Sequence, residues 1–283
     1  MIKPLIWMFG TKNFKEHYFR LLKIYLKFMV VAAILLVLYK GLELSLQWEL
    51  GITVGLLACV IIPMLINQGY FWELTEETIN RECDYTASNV YNGRVSEVYK
   101  IHLPIWNTKK FLWRGISSIV ASIILYIPVV TLYTYSMFQM ADKNTGIYSI
   151  PFFSAYSFDV TPVMLACLLI YFVTPGLLWN YANRNSIMSI LNIRKAIYVM
   201  GNYTGRYFFN VLCFLVYFVA DFFIMCMLVK LFGISYMPNM DSNFITLAIF
   251  AVYLFITELK YLYLIYVYAY LLGTIAAPCE GLG

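Results

Sequence analysis

Long apolar runs alternate with short polar, positively charged stretches along this chain, and that alternation predicts its elements. The apolar runs extend from about Lys23 to Leu42, Gly51 to Tyr70, Gly115 to Phe138, Val160 to Trp179, Tyr207 to Leu231 and Phe244 to Gly273. A helix rising about 1.5 Å per residue needs about 20 apolar residues to cross about 30 Å of hydrocarbon. Each run therefore predicts one transmembrane helix. The sixth is longer than needed, which predicts tilt or an extension into water. No ten-residue barrel alternation occurs, and lipid cannot satisfy open strand edges. The expected fold is all-α: a polytopic helical integral membrane protein with about six transmembrane helices and cytoplasmic interfacial helices.

The polar stretches carry structure of their own. Between Asn185 and Asn202, "NSIMSILNIRKAIYVMGN" places Asn185, Ser189, Asn192 and Lys195 on one side at helical spacing, while Ile187, Ile190, Leu191, Ile197 and Met200 are apolar. That pattern predicts an amphipathic helix lying in the membrane interface. "ELTEETINRE" after the second run favours helix, and Asn92-Gly93 should break it. The expected organisation is a cytoplasmic amphipathic segment over residues 1–22 and one six-span domain over 23–273. Cytoplasmic loops lie at 71–114 and 180–206, and a cytoplasmic tail at 274–283.

Charge fixes the expected orientation. The N-terminal segment holds Lys3, Lys12, Lys15, Arg20, Lys23 and Lys27; the loop after span two holds Arg81, Arg94, Lys100, Lys109, Lys110 and Arg114; the loop after span four holds Arg184, Arg194, Lys195 and Arg206. With six spans these all share one side, against Lys40, Lys143 and Lys230 on the other. Basic loops stay in the cytoplasm, so both termini are expected there. The net charge of +5 then reflects orientation, and no nucleic-acid partner is expected. Composition agrees: 62% of residues are apolar and 12% charged, against about 45–50% and about 25% in soluble chains. "MIKPLIWMFG" leads into a charged segment without a small-residue cleavage site, so the first span is expected to remain as an anchor.

Two stretches with a proline near the inner end of a span, "IIPMLINQGYFWELT" (Ile61–Thr75) and "VTPGLLWNYANRNSI" (Val173–Ile187), echo each other, with an asparagine four or five residues after the proline. Either a duplicated hairpin or a shared need for a loosened helix end accounts for the echo.

"HLPIWNTKKFLWRGISSIVASIILYIPVV" joins Leu103-Pro104-x-Trp106 to Gly115 and to a span containing Tyr126 and Pro128. With the preceding "GYFWELTEETINRE" and the later "TPGLLWNYANRNSIMSILNIRKAI", this resembles the family catalogued as domain of unknown function 4013, over roughly Gly51 to Leu231. "NTKK" stands where that family usually has acidic residues. The resemblance implies a polytopic membrane protein of bacteria or archaea and brings no activity. Physically, Pro104 ends any preceding helix. Leu103, Ile105 and Trp106 are expected to dip into the interface, and Lys109, Lys110 and Arg114 to meet anionic headgroups, so that the element with Pro104 anchors the start of span three.

Candidate chemistry is sparse. The two histidines, His17 and His102, lie outside the six runs, which excludes a haem held between membrane histidines. No metalloprotease, cysteine-cluster or paired-carboxylate motif occurs. "GNYTGR" at Gly201–Arg206 lacks phosphate-loop spacing. The six cysteines are scattered, so no disulfide framework is expected. No catalytic, cofactor-binding or metal site and no cofactor is predicted. What remains is Asp221, Glu258 and Lys260 within apolar runs. Such residues rarely face lipid. Two readings stand: an interhelical polar clasp, in which Lys260, Tyr217 or Tyr253 meets Asp221, or a proton or ion pathway lined by Asp221 and Glu258. The first fits a non-enzymatic scaffold or subunit of a membrane complex; the second, a small transporter or channel. Expected partners are the bilayer with its anionic headgroups, and either other proteins or further copies of the chain.

Overall fold

The computed structural model describes residues 14–41, 46–92, 103–143, 161–184, 186–231 and 244–275. Seven α-helices carry them: α1 (Phe14–Gly41), α2 (Leu46–Asn92), α3 (Thr108–Lys143), α4 (Thr161–Arg184), α5 (Ile193–Asn202), α6 (Thr204–Leu231) and α7 (Phe244–Gly273). A short 3-10 turn, Ile187–Leu191, precedes α5. No strand occurs among the described residues, and five helices are long and apolar enough to cross a membrane: α1, α2, α3, α6 and α7. The fold is all-α, as the hydrophobic pattern predicted, and its composition is that of a membrane protein. The side chains of the first half of α4 lie outside the described residues, so its crossing is not among those five.

The helices ignore several boundaries drawn from hydropathy. α1 is one rod from Phe14, so Lys15, Arg20, Lys23 and Lys27 lie on the same helix as the first apolar run. α2 has 47 residues, passes through Pro63 and ends at Asn92. At about 1.5 Å per residue it extends about 70 Å, roughly twice the hydrocarbon thickness. "ELTEETINRE" thus continues the span, because nothing between Tyr70 and Glu73 breaks the helix; the expected break at Asn92-Gly93 falls at the edge of the described residues, with Gly93 outside them.

Packing is concentrated at the basic end. One cluster joins Trp72, Trp179, Tyr181, Tyr207, Val199 and Leu272; another joins Leu21, Ile66, Tyr70, Phe111, Leu262 and Tyr266. Toward the other end, α1 exposes Val30, Ile34 and Val37, and α6 exposes Phe218, Phe222 and Met227. Inside a bilayer lipid tails are as apolar as leucine, so helices associate through close packing and polar contacts. Two glycines make the closest crossing. A Cβ on Gly69 would lie 1.7 Å from the Phe111 carbonyl oxygen, and one on Gly115 would lie 2.0 Å from that of Leu65. α2 and α3 therefore touch backbone to backbone.

A second device appears at Pro175 in α4. Proline lacks the N–H that would continue the ladder, and Tyr207 of α6 enters the opened turn. Its hydroxyl donates to the Phe172 carbonyl and accepts from the Gly176 N–H at 3.3 Å. A side chain placed within the i→i−4 ladder is one recognised cause of a helix kink.

The 3-10 turn and α5 are built inside out relative to a soluble amphipathic helix. Ser189, Ile190, Lys195, Ala196 and Val199 are buried against the bundle, while Met188, Leu191, Ile193, Ile197 and Tyr198 are exposed. Asn192 caps α5, its side-chain oxygen accepting from the Lys195 N–H at 3.0 Å. The exposed apolar face is the face an interfacial helix presents to lipid. Ile190, expected on the apolar side with Ile197, instead points inward.

Candidate functional site

Asp221 sits in the middle of α6, among Phe218, Phe222 and Phe223, with no ionic partner on its own helix one turn away. The partner comes from α7: Lys260 Nζ lies 2.5 Å from Asp221 Oδ1, both side chains about a fifth to a quarter exposed. Lys260 is the contact chosen from the three that the sequence left open. Pairing removes an isolated charge from an apolar setting, where either partner alone costs about 2.5–3.5 kcal/mol.

Glu258 precedes Lys260 by two positions and so points to a different side of α7. It accepts a hydrogen bond from Asn67 Nδ2 of α2 at 2.9 Å. Glu258 and Asp221 are therefore held by different helices. One turn further in, His17 Nδ1 of α1 lies 3.2 Å from the Tyr70 hydroxyl, which lies 3.1 Å from that of Tyr266. The Tyr18 hydroxyl also donates to the Leu259 carbonyl at 3.1 Å. These bonds tie α1, α2 and α7 together.

The Leu103–Trp106 element docks on this knot. Pro104 is buried and Leu103 half-buried. Trp106 packs edge-on against His17 and Phe111, at 5.4 Å from each, with the Arg20 guanidinium over its ring at 5.4 Å. Ile105, 90% exposed, is the side chain left to meet lipid. Of the three side chains expected at the interface, Ile105 is exposed, while Leu103 and Trp106 are half-buried against the protein. Aromatic neighbours on α1 and α2 offer Trp106 a denser contact than headgroups do.

The basic residues after it also depart from expectation. Arg114 is buried, its side chain 2% exposed. Its Nη1 lies 2.6 Å from Glu73 Oε1 and also pairs with Glu76; its Nη2 donates to the Ala182 carbonyl at 3.2 Å. Lys110 Nζ pairs with Glu73 Oε2 at 2.5 Å. Lys109 alone of the three has its side chain exposed without one of these pairings. Arg114 is turned inward because Glu73, 4% exposed, needs a buried counter-charge. Lys110 and Arg114 are tied to the polar continuation of α2, and Arg114 also to α4.

The linear pattern does not single out Glu73, Glu76 or Tyr207, and it marks Asn67 only as part of the Pro/Asn echo. Glu73 and Glu76 lie three apart, so both face α3, and the 37-residue separation between Glu73 and Lys110 hides the pairing in the linear text. Asn67 was visible as an amide inside an apolar run. The two echoing Pro/Asn stretches use their asparagines differently: Asn67 bonds Glu258, whereas Asn180 donates to the Asn192 carbonyl at 3.2 Å. Lys195, buried on α5, has its pKa lowered by desolvation and by the nearby Arg184.

Neither a curated protein nor a solved structure matches this chain. A family model described as "Protein of unknown function (DUF4013)" matches residues 52–230, the span that joins the Gly69–Gly115 crossing, the Glu73–Arg114 pair and the Tyr207 kink. The chain belongs to the DUF4013 family.

Proposed function

We propose that this protein is a non-enzymatic component of a prokaryotic cytoplasmic membrane, acting as a scaffold or as a subunit of a larger membrane assembly. Both termini and the Glu73–Arg114 end face the cytoplasm, because that end gathers the basic loops. The observation that carries the reading is the disposition of the intramembrane charges. Asp221 is paired with Lys260, and Glu258 is bonded to Asn67 on another helix. A pathway needs carboxylates that face a common cavity; here the two are spent on separate helix contacts. The exposed apolar flanks of α1 and α6 supply surface for lipid and for protein partners.

The test is reconstitution of the full chain in liposomes, with proton and cation flux measured against empty vesicles and against D221N. The expected result is flux no greater than in empty vesicles. Flux in the wild type that D221N abolishes, with folding preserved, would replace this reading with a small ion- or proton-coupled transporter. Crosslinking in native membranes followed by purification is expected to retain other membrane proteins or further copies of the chain.

A further inference from the structure

We infer that the start of α3 is a binding site for the phosphate headgroup of an anionic membrane lipid. An open pocket of about 440 Å³ lies there, lined by Glu73, Asn107, Lys109, Lys110, Trp113, Arg114 and Ser117. The lining carries Lys109, Lys110 and Arg114 beside Glu73, and Glu76 also pairs with Arg114, which leaves Lys109 as the cation in excess. The Glu73 carboxylate is already engaged, one oxygen with Arg114 and the other with Lys110. The exposed Lys109 ammonium is left facing the opening. Arg114, although almost wholly buried, has an Nε without a hydrogen-bond partner. α3 begins at Thr108; Asn107 already accepts from the Lys110 and Phe111 N–H groups, and the positive end of the helix dipole adds to the attraction for an anion.

The surroundings favour a lipid over a free anion. Below the pocket, Trp113, Ile116, Val120, Ile123 and Ile127 are all exposed and recur at three- and four-residue spacing, forming one stripe along α3. A phosphate seated at Lys109 would place its acyl chains along that stripe. Trp113, 62% exposed, stands between the polar and apolar parts, where an amphipathic ring belongs. The site is independent of whether the protein carries flux.

Native mass spectrometry of the full chain, titrated with short-chain phosphatidylglycerol, phosphatidylcholine and inorganic phosphate, tests this. Saturable binding of one phosphatidylglycerol is expected, with phosphatidylcholine and phosphate weaker. K109Q is expected to weaken phosphatidylglycerol about five-fold, the equivalent of one lysine–headgroup contact. K15Q, the same charge change on exposed α1, is expected to leave it unchanged. Equal binding of phosphatidylcholine, equal binding of inorganic phosphate, or equal effects of K109Q and K15Q would each overturn the inference. Because Lys109 is exposed and outside the Glu73 pairing, its loss does not threaten folding.

Discussion

Lys260 of α7 reaches Asp221 of α6 at 2.5 Å, and this contact joins two helices that also meet nearer the end of α7, where Asn210 donates to the Leu271 carbonyl. Lys260 and Asp221 are each the other's means of being tolerated in lipid. Asp221→Leu alone is expected to destabilise the protein by about 2–3 kcal/mol by leaving Lys260 unpaired, whereas Asp221→Leu with Lys260→Leu is expected to recover most of that loss. Thermal unfolding in detergent, run as a double-mutant cycle, checks the sign of the coupling.

Gly115→Val is expected to be among the most damaging single changes, costing about 3 kcal/mol or more, because backbone cannot yield where a side chain could. The Cβ would fall 2.0 Å from the Leu65 oxygen. Gly69→Val at the same crossing is expected to behave alike, and the double variant to cost less than the sum of the two. Denaturation midpoints of the three variants decide it.

Tyr207→Phe deletes the hydroxyl lodged between Phe172 and Gly176 and is expected to cost about 1–2 kcal/mol. In a Pro175→Ala background the helix can close its own ladder, so the same change is expected to cost much less. Parallel stability measurements of the four chains provide the comparison.

Arg114→Met leaves the buried Glu73 carboxylate with only the half-exposed Lys110 and is expected to cost about 3 kcal/mol. Adding Glu73→Gln should restore part of it, since the amide carries no charge to compensate. An exposed pair such as Glu16–Arg20, one turn apart on α1, is expected to contribute under about 1 kcal/mol when broken by Glu16→Gln. Urea or thermal unfolding of the two sets separates buried from exposed pairing.

Lys195 gives a pH dependence of defined sign. Its pKa is lowered in the folded protein, so between that value and the unfolded one the unfolded chain binds more protons. Stability is therefore expected to rise with pH through the window that ends near the ordinary lysine value of about 10.4. Lys195→Met should flatten this slope and stabilise the protein on the neutral side. Unfolding measured from pH 8 to pH 11 in both chains tests it.

The linear pattern determined the helical class, the positions of the long apolar helices and the presence of charges that must be accommodated in lipid. These follow from local rules: a fixed rise per residue and the cost of charge in hydrocarbon. It did not determine that Arg114 turns inward to Glu73 instead of outward to headgroups. Nor did it determine that Trp106 packs on His17, that α2 runs on past the bilayer, or that Tyr207 occupies the turn opened by Pro175. Those outcomes depend on which helices become neighbours. Neighbours far apart in sequence are selected by backbone fit at Gly69 and Gly115 and by pairing of buried charge, neither of which a hydropathy pattern encodes.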